Sequence, residues 1–331
     1  MNILDHFTFE NVGSRIEDLE TPVPLVDIGI VEHNLKKWQA RSDKLGIANW
    51  PHIKTHKLVA LAKAQIELGA RGITVQKLGE AEVMADAGIT DMLLTFNVVG
   101  AHKLERLAAL AKRINISVVA DSKEVVEGLS KAGQMAGRDI SVLVECDTGA
   151  GRNGVQSPEA AVELAKFIHA SKGLKYRGLM TYPGTRADAD KFLAKALELS
   201  AQAGLKTEVV SSGGSPDMWK DEGLAHVTEY RVGTYIYFDR SLAERGVCTY
   251  DECAVSVLAT VVSRPNDQRA LIDAGSKALT SDLLGLKGYG VVRELGFAKV
   301  YNVNEEHGYL DIAECNDKPK VGDLVRAAKS C

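Results

Sequence analysis

The chain has 331 residues, 45% hydrophobic and 25% charged, enough for one large domain or a large domain with a smaller appendage. A net charge of −4 and a pI near 6.1 leave no basic footprint and argue against nucleic acid or anionic membranes as partners. No apolar run approaches the roughly 20 residues of a membrane span. The opening MNILDHFTFENVGSRIEDLE lacks a signal-peptide pattern, and Cys146, Cys248, Cys253, Cys315 and Cys331 form no CxxC pair, so the expectation is a reduced, cytoplasmic protein.

In chain order, PVPLVDIG (22–29) is a short apolar run that could feed either of two units. Residues 50–240 then alternate apolar runs with amphipathic segments. The runs are PHIKT, GITVQK, DMLLTFNVV, ISVVADS, ISVLVECD, YRGLMTY, TEVVSSGG and TEYRVGTY. Between them, HKLERLAALAKRI (102–114) and SPEAAVELAKFIHAS (157–171) repeat apolar residues at three and four, the helical period. Strand alternating with helix predicts parallel strands. About eight such units predict a closed (β/α)8 barrel, TIM-like, over residues 22–245. After residue 248 the texture changes: CAVSVLATVVSR, QRALIDAG and FAKVYNVNEEHGYLDIAE read as strands without intervening helices. They predict a smaller antiparallel β domain, built from 246–331 with 1–21.

In such a barrel the chemistry sits at the C-terminal ends of the strands. PHIKTHK (51–57) closes the first predicted strand; read as extended, it places His52, Lys54 and His56 on one side. The seventh predicted strand ends in SSGGS (211–215) and runs into PDMWKDE, a candidate helix start; the eighth ends in RVGTY (231–235). Glycines let the backbone approach an anion, and the N–H groups beside Ser212 and Ser215 can hold it. An amine and an anion cradle at one barrel mouth suggest pyridoxal 5'-phosphate (PLP), whose aldehyde needs a lysine and whose phosphate needs the cradle. A barrel binding a sugar phosphate would explain SSGGS but not PHIKTHK. Other positions stay open on their own residues: Arg152 in a glycine loop reads equally as a surface arginine, and Tyr182 as packing. Asp147 could cap a turn, His307 could be an exposed hairpin residue, and Asp273 and Lys277 could pair with each other.

TPVPLVDI, PHIKTHK, KLGEAEVMADAGI, DTGAGRNGV, SSGGSP, RVGTYIYFD and DAGSKALTSD occur here in one order, from about Thr21 to about Val325. In this the chain resembles the D-threonine aldolase / D-serine dehydratase family, of the alanine racemase-like fold. The resemblance implies that Lys54 is the Schiff-base lysine and His56 an acid/base or orienting group. It implies that Ser212, Gly213, Gly214, Gly233, Thr234 and Tyr235 hold the phosphate, with Gln76, Arg152 and Tyr182 about the cofactor. It further implies a homodimer, a divalent metal (Mn, Mg or Zn), and a small D-amino acid as substrate.

The family's C-terminal metal pair, His-x-Cys or His-x-Asp, has no counterpart in AAKSC (327–331), and Cys331 alone makes a poor site. The activity this implies is a PLP-dependent carbon–carbon lyase, D-threonine aldolase-like, on D-3-hydroxy-amino acids. The alternative is a D-serine dehydratase-like ammonia-lyase, followed by an amino-acid racemase or a non-catalytic PLP-binding protein. Metal-dependent turnover is expected to be weak in this chain.

Overall fold

The structure, a computed structural model, describes residues 3–7 and 13–329. The chain divides into two compact units, one of residues 1–6 and 36–233, the other of residues 7–35 and 234–331. This differs from the expected division at 22 and 245. The reason is strand pairing: β1 (Val23–Val26) is antiparallel to β10 (Val255–Ser263), which draws the early run into the β unit.

The first unit is a barrel. Eight parallel strands, β2 (Ala48–Asn49), β3 (Ile73–Val75), β4 (Asp91–Leu94), β5 (Asn115–Ala120), β6 (Ile140–Cys146), β7 (Leu174–Thr181), β8 (Val209–Ser212) and β9 (Glu229–Tyr230), lie in the order β2-β9-β8-β7-β6-β5-β4-β3. A parallel bridge from His52 to Thr74 joins the two ends. Helices α2 (Val59–Glu67), α3 (Leu78–Asp86), α4 (Ala101–Ala111), α5 (Lys123–Ala136), α6 (Pro158–Ala170) and α7 (Arg186–Gln202) follow strands β2 to β7 in turn. Their starts are legible locally: Ser122, Ser157 and Thr185 each cap a helix through the side-chain oxygen, and Pro158 opens α6. After β8 the expected helix is a single 3-10 turn, Ser215–Asp217.

Two apolar layers form around these strands. Outward side chains such as Val142, Val144 and Leu179 pack against the helices. Inward ones, Trp50, Leu93, Val119, Leu143, Met180 and Val209, plug the lumen. Below the plug lies a buried ion pair, Arg177 with Glu229; Arg177 also donates to Ser117 Oγ at 2.8 Å and stacks over Trp50. Burial pushes the Glu229 carboxyl above its usual range while Arg177 opposes the shift. We expect Arg177→Met to lower stability by about 3 kcal/mol in urea unfolding, because a buried carboxylate loses its partner. Arg177→Met/Glu229→Gln should recover most of that loss; no recovery would put the cost in the Trp50 packing instead.

The second unit is antiparallel, as expected. Strands β10, β11 (Arg269–Ile272), β14 (Gly308–Asp311), β13 (Ala298–Val303), β12 (Gly290–Val292) and β15 (Leu324–Ala328) pair in that order, and β15 pairs back onto β10, closing a six-stranded barrel. Its core includes Val257, Val261, Ile272, Val300, Leu310 and Val325. Asp273 accepts from Thr21 Oγ1 (2.6 Å) and the Thr260 N–H (2.8 Å), whereas Lys277 pairs with Glu306, so these two do not pair with each other. Asp273 is a brace between strands, and His307 is exposed.

Candidate active site

Along each barrel strand, the residue two beyond the apolar plug faces the same way. That rule builds a polar ring above the plug: His52 follows Trp50, Thr95 follows Leu93, Asp121 follows Val119, Glu145 follows Leu143 and Ser211 follows Val209. Two more strands contribute Gln76 and Arg231.

The segment around Lys54 departs from the sequence reading. Strand β2 ends at Asn49 and Ile53–Thr55 forms a 3-10 turn, so His52, Lys54 and His56 do not share the face of a strand. A nonlocal network bends the chain here. His52 Nδ1 accepts the Lys54 N–H (3.4 Å), leaving its Nε2 proton to Gln76 Oε1 (3.1 Å) and Thr95 Oγ1 (3.3 Å). Burial, then the charges of Lys54 and Arg231, hold His52 well below its ordinary value, so it is neutral in this role.

His56 is buried beside α2. Its Nδ1 accepts the Leu58 N–H at 3.0 Å, and the Gln65 side chain engages the ring as well. Burial brings it down to about 4. A neutral histidine anchored in this way orients the turn; of its two expected tasks, the geometry favours the second.

Lys54 itself is accessible but stands among the walls of the barrel mouth. That crowding, followed by Arg152 and Arg231, holds its ammonium below the ordinary lysine value, with Glu80 opposing. Lys57 is instead tied to the buried carboxylate of Glu80, which also accepts the Gln76 N–H at 2.7 Å. With its pKa lowered, Lys54 carries more free amine near pH 8. We expect trinitrobenzenesulfonate to modify Lys54 at least about tenfold faster than Lys57, read by peptide mapping. Equal rates would remove the basis for preferring Lys54.

The cradle is made by the ends of β8 and β9. Gly213 has φ +109°, and a Cβ there would meet the Tyr230 ring at 2.4 Å. A Cβ on Gly214 would meet the Tyr182 ring at 2.8 Å, and one on Gly233 would meet Thr55 Oγ1 at 3.0 Å. The N–H groups of Gly213, Gly214 and Gly233 donate to no group among the described residues. Unpaired donors lining a space that any side chain would fill suit a phosphate. Ser212 is buried beside them. Thr234 and Tyr235 come next in the chain, in a 3-10 turn (Thr234–Ile236) of the second unit, with Tyr235 buried.

Arg186, at the start of α7, braces this loop. It donates to Tyr230 Oη and Asp217 O, and its guanidinium lies 5.1 Å over the Tyr230 ring, while Tyr230 Oη donates to Gly214 O at 3.3 Å.

Arg152 lies 4.8 Å over the ring of Tyr182, and both are exposed. Asp147 Oδ1 accepts the N–H groups of Gly149 (3.0 Å) and Gly151 (3.1 Å), so it caps the glycine turn. Gln76 reaches His52 and donates to Thr95 O at 3.4 Å.

Arg231 was not among the expected site residues. It is buried on the barrel floor, donates to Ser211 Oγ at 2.9 Å and to Thr181 O, and burial lowers it to about 10 against the pull of Glu145 and Glu229. Its signal was a charge at the end of the last barrel strand, in EYRVG, where a buried charge is rarely tolerated without a partner or a task.

The residues present therefore fit PLP: an amine with lowered pKa, a glycine cradle with unpaired donors, and two arginines. They do not fit the implied metal. Among the described residues no three His, Cys, Asp or Glu side chains are placed to hold an ion, and Cys331 lies outside those residues.

Eight parallel strands with the site at their C-terminal mouth, joined to a six-stranded antiparallel barrel, define an alanine racemase-like protein. The model for the alanine racemase N-terminal domain matches residues 26–241, and that for the serine dehydratase domain matches residues 254–330. The chain is 32% identical to a D-threonine aldolase from Arthrobacter sp., over 96% of this chain and 87% of the relative. It is 33% identical to a D-threo-3-hydroxyaspartate dehydratase from Delftia sp. strain HT23, over 89% and 84%. The crystal structure of D-threonine aldolase from Filomicrobium marinum superposes with a TM-score of 0.87 at 32% identity, covering 95% of this chain and 88% of that one. The chain belongs to the D-threonine aldolase / D-serine dehydratase family. No helix among the described residues is long and apolar enough to cross a membrane.

Proposed function

We propose that this protein is a PLP-dependent lyase that cleaves the Cα–Cβ bond of D-3-hydroxy-amino acids, giving glycine and an aldehyde. The observation that carries it is the pairing, at one barrel mouth, of Lys54 with lowered pKa and the glycine cradle of Gly213, Gly214 and Gly233. When bound, the cofactor supplies an electron sink for charge developing at Cα.

The chain's own residues do the rest. Lys54 would hold the cofactor through its amine, and the same amine would accept or return a proton at the substrate's Cα. The cradle N–H groups of Gly213, Gly214 and Gly233 would hold the phosphate. His52 and Gln76 hold the Lys54 turn against the end of β3, which Gln76 follows. Arg231 supplies a permanent positive charge at the floor, and Arg152 a second from the loop. Tyr182 forms a flat wall under Arg152.

The 33% identity to a dehydratase supports a second reading, loss of the hydroxyl group to give a keto acid and ammonia. A small D-amino acid as sole ligand class and a cytoplasmic homodimer are further readings that rest on the family. The deciding experiment is the near-ultraviolet and visible spectrum of the purified protein, followed by product analysis with D-threonine, D-3-hydroxyaspartate and D-serine, with and without Mn²⁺. Glycine with an aldehyde supports the aldolase reading; keto acid with ammonia moves the conclusion to the second. Absence of any cofactor band after incubation with PLP would overturn both.

A further inference from the structure

We propose that Lys57 and Glu80 are a positioning pair that fixes the turn carrying Lys54 relative to the glycine cradle. This deepens the reading above and rests on it.

Lys57 has φ +55°, the left-handed region that a residue with a Cβ adopts only when its surroundings hold it there. Its N–H donates to the Ile53 carbonyl at 2.7 Å, so this conformation closes the turn that contains Lys54. Glycine would sit there without strain, yet the position carries a lysine whose amine reaches Glu80 on α3. Glu80 is buried, and its Oε2 accepts the Gln76 N–H at 2.7 Å and the Lys77 N–H at 3.4 Å, which caps α3. Capping asks only for an oxygen, and a glutamine would serve. The charge of this buried carboxylate is met by Lys57 at Oε1.

These contacts close a ring. The Lys54 N–H donates to His52 Nδ1, His52 Nε2 to Gln76 Oε1, the Gln76 N–H to Glu80 Oε2, and the Lys57 amine to Glu80 Oε1. Lys54 is thus tied from before, by His52, and from after, by Lys57, to one short segment between β3 and α3. The same turn abuts the cradle. The His52 N–H donates to the Val232 carbonyl at 2.6 Å, and a Cβ on Gly233 would meet the His52 carbonyl oxygen at 3.1 Å and Thr55 Oγ1 at 3.0 Å. A cofactor held at its phosphate and at its aldehyde needs the cradle and the Lys54 amine at a set separation, and the ring sets it.

The pair also stands within electrostatic reach of the amine. Burial, then Arg152 and Arg231, lowers Lys54, and Glu80 is the carboxylate that opposes them. His52 and His56, the other titratable groups of the turn, are kept neutral by burial. Lys57 offsets part of the Glu80 charge, so the two members of the pair act on Lys54 with opposite sign. A contact that merely steadied the fold would leave the titration of Lys54 where it was.

The test compares the unchanged chain with Glu80→Gln, Lys57→Met and Lys57→Arg. The readouts are PLP affinity by fluorescence quenching, the melting temperature of the cofactor-free protein, and the pH midpoint of Lys54 modification by trinitrobenzenesulfonate, followed by peptide mapping. We expect Glu80→Gln and Lys57→Met to bind PLP at least about tenfold more weakly, and Lys57→Arg to recover most of the affinity. The Lys54 midpoint should fall in Glu80→Gln, which loses the charge opposing Arg152 and Arg231, and rise in Lys57→Met, which leaves that charge without its partner. A lower melting temperature with unaltered PLP affinity, or weaker binding with no shift of the Lys54 midpoint in either variant, would make the pair a structural contact and overturn the inference alone. Failure of the unchanged chain to bind PLP overturns the parent reading, and this inference with it.

Discussion

Replacing Lys54 by alanine should remove the pyridoxyl label that borohydride reduction is expected to place on the unchanged chain, and should lower cleavage of D-3-hydroxy-amino acids by at least about a thousandfold. The size follows from losing both the covalent attachment and the amine that handles the proton at Cα. Lys54 is the accessible amine held below its ordinary pKa by crowding and two arginines, whereas the amine of Lys57 is committed to Glu80. Reduction, proteolysis and peptide mapping check the attachment independently of turnover. A label found on Lys57, or full activity in Lys54→Ala, would sink the assignment. Because Lys54 is accessible, the variant should melt within a few degrees of the unchanged chain, so lost labelling can be separated from lost folding.

Gly214→Val should weaken PLP binding by at least about a hundredfold while changing the melting temperature little. Gly214 has φ −169°, an extended conformation that valine also adopts, so the backbone carries no penalty. The added Cβ meets the ring of Tyr182, which is 37% exposed and free to give way. The displaced volume is then that of the cradle, where N–H groups must approach an anion directly. Gly213→Ala makes the contrast: at φ +109° and against the buried Tyr230 ring, the cost falls on folding first. Isothermal titration with PLP beside thermal melts separates the two. Unchanged affinity in Gly214→Val would place the phosphate elsewhere.

Much of this architecture was legible beforehand because it is written in local periodicity. Alternating apolar runs and amphipathic stretches located seven of the eight barrel strands, all but β2, which lies just before PHIKT. SSGGS and RVGTY stood out because glycine has few reasons to sit at a strand end other than close backbone approach. Where a feature depended on one short segment and its own chemistry, reading the residues was enough.

The polar ring was not legible in the same way. Strands of a parallel barrel are buried on both faces, so their text is a nearly continuous apolar run and does not announce which residues face the lumen. The register shift between Val142 and Leu143 of β6, opposite Arg177 of β7, changes the phase besides, and pairing alone fixes it. Glu145 and Arg231 therefore looked like single charges in apolar strands until the closed sheet set them in one layer.

The bend at residues 52–56 has the same origin. PHIKT carries a strand's composition, but His52 bonds Gln76 and Thr95 from the next two strands, and that contact folds Ile53–Thr55 into a turn. Local composition thus marked most of the elements, their order, and the lysine and glycines proposed here for the chemistry. Closure of the sheet settled which charges meet, because nonlocal register and burial decide what stands opposite what.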